Sequence, residues 1–180
     1  MINLGSDYDK IPTWQEGSFP KLPAGGYVCI VKKVSVEDNK NNKPMLVLEI
    51  DILEGEFKGF FKNSQYPPKI FRNIFDKDNK ISPFFKGLLA NFGDSNGFSV
   101  VGGMFDEKIL LNKSIGVVFA EEEYESNGTV KVRASPSFTT TVEIIRNGEF
   151  KVPQLKKLQK SKPVEIDDID SAIPDESVPF

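Results

Sequence analysis

The chain has 180 residues, 39% of them hydrophobic, and 23 Lys and Arg against 26 Asp and Glu for a net charge of −3, which suits one soluble domain with a real core. It contains no histidine and a single cysteine, Cys29, so Ser-His and Cys-His catalytic arrangements, an intramolecular disulfide and a cysteine-based zinc cluster are excluded. There is no run of about 18 apolar residues, and residues 1–7 have neither a basic region nor an apolar stretch. We therefore expect a cytoplasmic protein that is not an enzyme and needs no metal or other cofactor.

Residues 1–21 contain Pro12, Pro20 and the only tryptophan, Trp14, without a sustained period, and read as an arm. Trp14 either pins this arm to the body or stacks on a ligand. From Gly26 the period becomes two: Val28, Ile30, Val34 and Val36 alternate with Tyr27, Cys29, Val31, Lys33 and Ser35, with Lys32 breaking the apolar face. A turn-forming run over residues 38–44 follows, then a second strand in which Leu46, Leu48, Ile50 and Ile52 alternate with Met45, Val47, Glu49 and Asp51. After the Glu54-Gly55-Glu56 turn, residues 57–64 read as a third strand with Gly59 as a bulge, completing a meander.

Pro67 and Pro68 stop that strand, and the spacing of Ile70, Phe71, Ile74 and Phe75 predicts a short helix. A second helix starts at Ser82-Pro83 and carries Phe85, Leu88, Leu89 and Phe92 at i, i+3, i+4, i+7 before ending at Gly93. Residues 91–103 read as loop. Ile115, Val117 and Phe119 open a fourth strand, and Ser126-Asn127-Gly128 turns it into a fifth from Thr129 to Arg133. Ser135-Pro136-Ser137 should break that strand, with residues 138–145 extending it or forming an edge. Three strands, helices, then two more strands is the order of an OB-fold, a mainly β, five-stranded barrel over residues 22–150 that grips oligonucleotides on one face; other small barrels share the strand count.

Residues 151–180 become Lys-rich and then acidic. Six carboxylates (Glu165, Asp167, Asp168, Asp170, Asp175, Glu176) face one cation, Lys162, in residues 161–180, leaving 22 cations against 20 anions in the rest of the chain. The body is thus slightly positive, and this last segment should be a solvated, disordered acidic tail. Its tip, Asp175-Glu176-Ser177-Val178-Pro179-Phe180, offers an aromatic ring, a fixed backbone and a carboxylate together, the elements of a docking peptide; an acidic solubility tail is the alternative.

Candidate binding residues are aromatic rings interleaved with cations, since a ring stacks on any base while Lys and Arg meet phosphates. Alternation places Phe60 on the same face as Lys58 and Lys62, with Phe61 taking its place if Gly59 is a bulge; Tyr66 is a rim platform. Lys131 and Arg133 on the last hairpin, Tyr124 near its turn, and Tyr27 with Lys33 on the first strand complete the set. For any one of these, core packing or a solvated face is the competing reading. Glu121, Glu122 and Glu123 alternate faces and make a poor metal cage, and no phosphate-binding glycine loop is present.

The acidic tail with its Val178-Pro179-Phe180 tip, the run Leu22-Pro23-Ala24-Gly25-Gly26-Tyr27, and the segments Leu46-Val47-Leu48-Glu49-Ile50-Asp51 and Glu54-Gly55-Glu56-Phe57-Lys58-Gly59-Phe60-Phe61 together resemble phage-encoded single-stranded DNA-binding proteins of Gram-positive hosts. The tip also resembles the acidic tails of bacterial single-stranded DNA-binding proteins, which end in Ile-Pro-Phe or Leu-Pro-Phe; Ser177 stands where those usually keep aspartate, and Val178 where they keep Ile or Leu. The resemblance implies an OB-fold, sequence-tolerant single-strand binding, self-association into a homo-oligomer, and a tail that recruits replication or recombination proteins through Asp175, Glu176, Val178, Pro179 and Phe180. On this reading the protein acts in phage DNA replication or recombination in the host cytoplasm, binds with strong salt dependence, and has a tail that competes with DNA for the groove. The rival expectation is a small β-barrel adaptor or host-enzyme inhibitor whose acidic tail mimics DNA and whose body has no nucleic-acid site.

Overall fold

A computed structural model describes residues 21–101 and 103–158. Alternation drives the first hairpin: β1 (Gly25–Asp38) and β2 (Pro44–Ile52) pair antiparallel, and Leu46, Leu48, Ile50 and Ile52 all point into the main core. The register slips between Val31 and Lys33, so Lys32 is the extra residue of a β-bulge. That bulge removes the lysine from the apolar face and leaves it exposed. Before the bulge the core face of β1 is the opposite of the expected one: Cys29 and Val31 are fully buried in the main cluster with Tyr27 packed against it, while Val28 enters a smaller cluster on the other side; after the bulge Val34 packs against the main cluster as expected.

The third strand lies elsewhere than the sequence predicts. Residues 57–64 are not a strand but successive tight turns, in which the amides of Lys58, Phe60, Lys62 and Ser64 donate to the carbonyls of Gly55, Phe57, Gly59 and Phe61. Gly55 (φ 83°) and Gly59 (φ 73°) sit in the left-handed region, where other residues are strained, and this coils the chain. Asp51 anchors the coil, its carboxylate accepting from the amides of Ile52 (2.8 Å) and Phe61 (2.9 Å). The helix expected over residues 70–75 is instead β3 (Lys69–Asn73), antiparallel to β2, with Ile70 buried opposite Leu48 and Phe71 exposed. Pro67 and Pro68 deliver the chain extended to the free edge of β2, and pairing there outweighs the helical spacing.

Helix α1 (Pro83–Asn96) matches its predicted start and stripe, with Phe85, Leu88 and Phe92 buried; it runs past Gly93 until Gly97, at φ 71°, ends it. A 3-10 turn (Glu107–Leu110) leads to β4 (Ser114–Ser126), which pairs with β1 and with β5 (Thr129–Thr140). Ser135-Pro136-Ser137 does not break β5. The register shifts there, and the proline is accommodated because β5 is an edge strand. Beyond Thr140 the chain turns helical, contrary to the expected strand: Thr141 caps α2 (Val142–Asn147), its Oγ1 accepting from the Ile144 amide.

Among the described residues the result is a mainly β fold with one antiparallel sheet in the order β3-β2-β1-β4-β5. β3 and β5 are its two edges, so the sheet is not a closed barrel. Helix α1 packs against β3, β4 and β5, covering the main core, whereas α2 and Phe150 cover Val28 and Val118 on the opposite face. Past α2 the chain returns to β4: the Lys156 amide donates to the Glu121 carbonyl and the Glu123 amide to that of Lys156, both at 2.9 Å.

A candidate nucleic-acid interface between the sheet edges

The coil after β2, both edge strands and the residues entering β1 surround a groove of about 1080 Å³. Phe60 and Phe61 line it, half-buried because the Asp51 bond draws the coil onto the sheet. Phe61 stacks on the buried Phe119 at 6.2 Å with planes 13° apart, and Phe60 meets Phe61 and Phe57 edge to face. These two rings therefore belong largely to the core. They present only part of their surface to the groove.

The exposed rings are Tyr66, at 82% relative exposure, and Phe71, at 50%. Tyr66 is held at the groove by the Pro67-Pro68 pair and by its amide donating to Ser64 Oγ. Phe71 projects from edge strand β3, and it escaped sequence reading because its spacing to Phe75 mimics a helical stripe. The usable signal was local: Lys69, Phe71 and Asn73 exposed against Ile70 buried is a period of two after a double proline.

Across the groove stand Tyr124 of β4 and Arg133 of β5. Their register, Glu122 opposite Arg133 and Tyr124 opposite Lys131, puts these four side chains on one face of the hairpin. The Arg133 guanidinium lies 5.0 Å from the Tyr124 ring centre while its Nε and Nη2 donate to Glu122 at 2.9 and 2.8 Å. Lys131 is exposed near the hairpin turn and lies outside the groove lining, as does Lys62 in the coil. Lys33 reaches the groove only through Glu49, 3.7 Å away, which also pairs with Lys69 at 3.3 Å.

Tyr27 is not a groove residue. Its ring meets Phe57 and Phe119 edge to face at 5.9 and 5.5 Å, and its hydroxyl donates to the Pro23 carbonyl at 2.8 Å. Burial, with Glu56 and then Cys29 nearby, raises its hydroxyl above the ordinary range. Burial likewise pushes the Cys29 thiol up, with Asp51 adding to it, which keeps that sulfur protonated and inert. Of the nine predicted binding residues, the groove thus gathers Phe60, Phe61, Tyr66, Tyr124 and Arg133, and it adds Phe71, Lys69, Lys21 and the carboxylates Glu49, Glu121 and Glu122. Trp14 and the docking residues Asp175, Glu176, Val178, Pro179 and Phe180 lie outside the described residues.

Among the described residues no group of three or more His, Cys, Asp and Glu side chains is placed to hold a metal ion, and no helix is long and apolar enough to cross a membrane. Neither a protein-family model nor a curated protein sequence matches the chain at significance.

Proposed function

We propose that the protein binds single-stranded DNA without sequence preference along the groove between β3 and β5, and that its acidic tail recruits replication or recombination proteins through the Phe180 tip. The observation that carries this reading is the convergence of Tyr66, Phe71 and Tyr124, from three separate segments, on one groove that also holds Lys21, Lys69 and Arg133. Tyr66 and Phe71 are exposed and Tyr124 is half-buried, and a base stacking on such a ring is worth about 1 to 3 kcal/mol. The sheet order with α1 between β3 and β4 supports an OB-fold left open at the β3–β5 seam, a natural place for a strand of nucleic acid to lie. Such a protein would act in the host cytoplasm during phage replication or recombination, and as a homo-oligomer.

One observation favours the rival adaptor reading: the groove holds Glu49, Glu121 and Glu122, as many carboxylates as cations. Fluorescence anisotropy of a labelled oligo-dT, with a duplex of equal length as control, separates the two. Single-strand binding that spares the duplex supports our proposal. Absence of binding at low salt, in full-length protein and in a form lacking residues 161–180, leaves the adaptor.

A further inference from the structure

Every groove cation with a described ion pair is held by a carboxylate of the groove itself. Glu49 sits between Lys33 and Lys69, and Glu122 takes Arg133 through two nitrogens. Glu49 and Glu122 are also the sheltered partners, with side chains 22% and 23% exposed against 40% to 66% for their cations. Exposed pairs of this type contribute little to folding, so fold stability does not require them. What they change is the charge that a polyanion meets.

We propose that Glu49 and Glu122 set the affinity threshold and the salt dependence of the groove: they occupy the phosphate-binding cations as internal phosphate surrogates that any polyanion must displace, so that a ligand also offering bases to the groove rings binds where one offering phosphates alone gains little. The inference rests on the single-strand reading above. A duplex brings phosphates but keeps its bases stacked, and exchanging a carboxylate for a phosphate on the same cation gains it little. A single strand adds base stacking on Tyr66, Phe71 and Tyr124 to that exchange. At Glu122 the two gains are linked, because Arg133 covers the Tyr124 ring for as long as the carboxylate holds it. Release of the guanidinium frees a cation and a ring face together.

Salt dependence follows from the same arrangement. A cation that neutralises a phosphate contributes about −0.7 to the slope of log K against log salt for a single strand. A carboxylate left beside that phosphate retains a counter-cation and cancels much of this contribution. Wild-type binding should therefore vary with salt less steeply than the cation content of the chain suggests.

The test is anisotropy of labelled oligo-dT and of an equal-length duplex over a salt series, with wild type, E49Q, E122Q and the double variant, and E143Q on α2 as a charge change outside the groove. We expect each groove variant to bind oligo-dT about threefold to tenfold more tightly at low salt, with a slope steeper by up to about 0.7 per carboxylate removed. Duplex affinity should rise by no more than the same factor, because both ligands displace the same carboxylates and only the single strand also gains the Tyr124 face; E143Q should change affinity and slope far less. Binding by the variants but not by wild type would overturn the proposal together with the single-strand reading, because the native groove would then take no strand. If wild type binds and the groove variants match it in affinity and slope, the surrogate role is overturned while the single-strand reading stands. If neither wild type nor any variant binds, both fall. Circular dichroism melts establish that each variant is folded, and the single variants serve should the double variant fail to fold.

Discussion

Arg133 lies over the ring of Tyr124, its guanidinium carbon 5.0 Å from the ring centre, on the face of the β4–β5 hairpin that borders the groove. The pair joins a stacking surface to a phosphate ligand. Replacing Tyr124 or Tyr66 with alanine should each weaken oligo-dT binding by about 1 to 3 kcal/mol, measured by anisotropy, with no loss of thermal stability. Phe60→Ala should behave differently, lowering the melting temperature as well, because that ring packs on Phe57 and Phe61.

Asp51 supports the groove from beneath. The residue is 7% exposed, and its carboxylate accepts from both the Ile52 and Phe61 amides, fixing the coil that carries Phe60 and Phe61. Asp51→Ala leaves buried amides unpaired, and we expect urea denaturation to report a loss of about 1 to 3 kcal/mol. Oligo-dT binding should weaken in parallel. A variant that kept wild-type stability would show that the coil is held by its glycine-directed turns alone.

This coil also marks where sequence legibility ended. The β2 alternation and the Ser82-Pro83 start of α1 were readable because one face of each is buried by the element's own periodicity. Residues 57–64 imitate a strand in composition, yet Gly55 and Gly59 at positive φ and the non-local Asp51 bond decide their shape. Residues 70–75 imitate a helix, and the unpaired edge of β2 recruits them as β3. The two errors have one cause, since locating a third strand requires knowing which segment reaches that edge. For the site, aromatic and basic content picked out Tyr66, Tyr124 and Arg133, whereas Glu49 and Glu122 are groove residues only by virtue of pairings between strands.

Gly26 and Gly116 let α2 lie close on the outer face of the sheet. A Cβ on Gly26 would collide with the Phe150 ring, and one on Gly116 with the Thr141 carbonyl and the Ile145 side chain. Either alanine substitution should destabilise by about 1 to 3 kcal/mol in chemical denaturation through overpacking. Oligo-dT affinity should be preserved, because neither residue lines the groove.

Glu54, in the turn after β2, is bound by Arg146 of α2. The guanidinium hydrogen bond holds the Glu54 carboxyl below its ordinary value, outweighing the opposing effect of partial burial. A carboxylate depressed in the folded state adds stability above its unfolded pKa, and that increment is lost as pH falls through the folded value. Glu54→Gln should therefore be less stable than wild type at neutral pH, and the two should converge on acidification below the ordinary glutamate pKa of about 4.3. Thermal melts across an acid series would show it. A difference that persists unchanged into strong acid would mean that the pair acts by packing alone.

The last described residues are attached to β4. Lys156 bridges to β4 beside Glu121 and Glu123, and the Leu158 amide donates to the Glu123 carboxylate at 3.0 Å, so the described chain ends next to two strand positions that adjoin Glu122. Lys156→Pro removes the amide that donates to the Glu121 carbonyl and should free this attachment at a cost of about 1 kcal/mol. Hydrogen exchange at the Glu123 amide, which donates to Lys156, should then accelerate, while the amides of β4 that pair with β1 keep their protection. The binding consequence depends on how the tail competes. If its carboxylates act from this anchoring point, Lys156→Pro should weaken their competition and tighten low-salt oligo-dT binding in the full-length chain, with no effect once residues 161–180 are deleted. Tightening in the truncated form as well would assign the effect to the β4 edge and not to the tail.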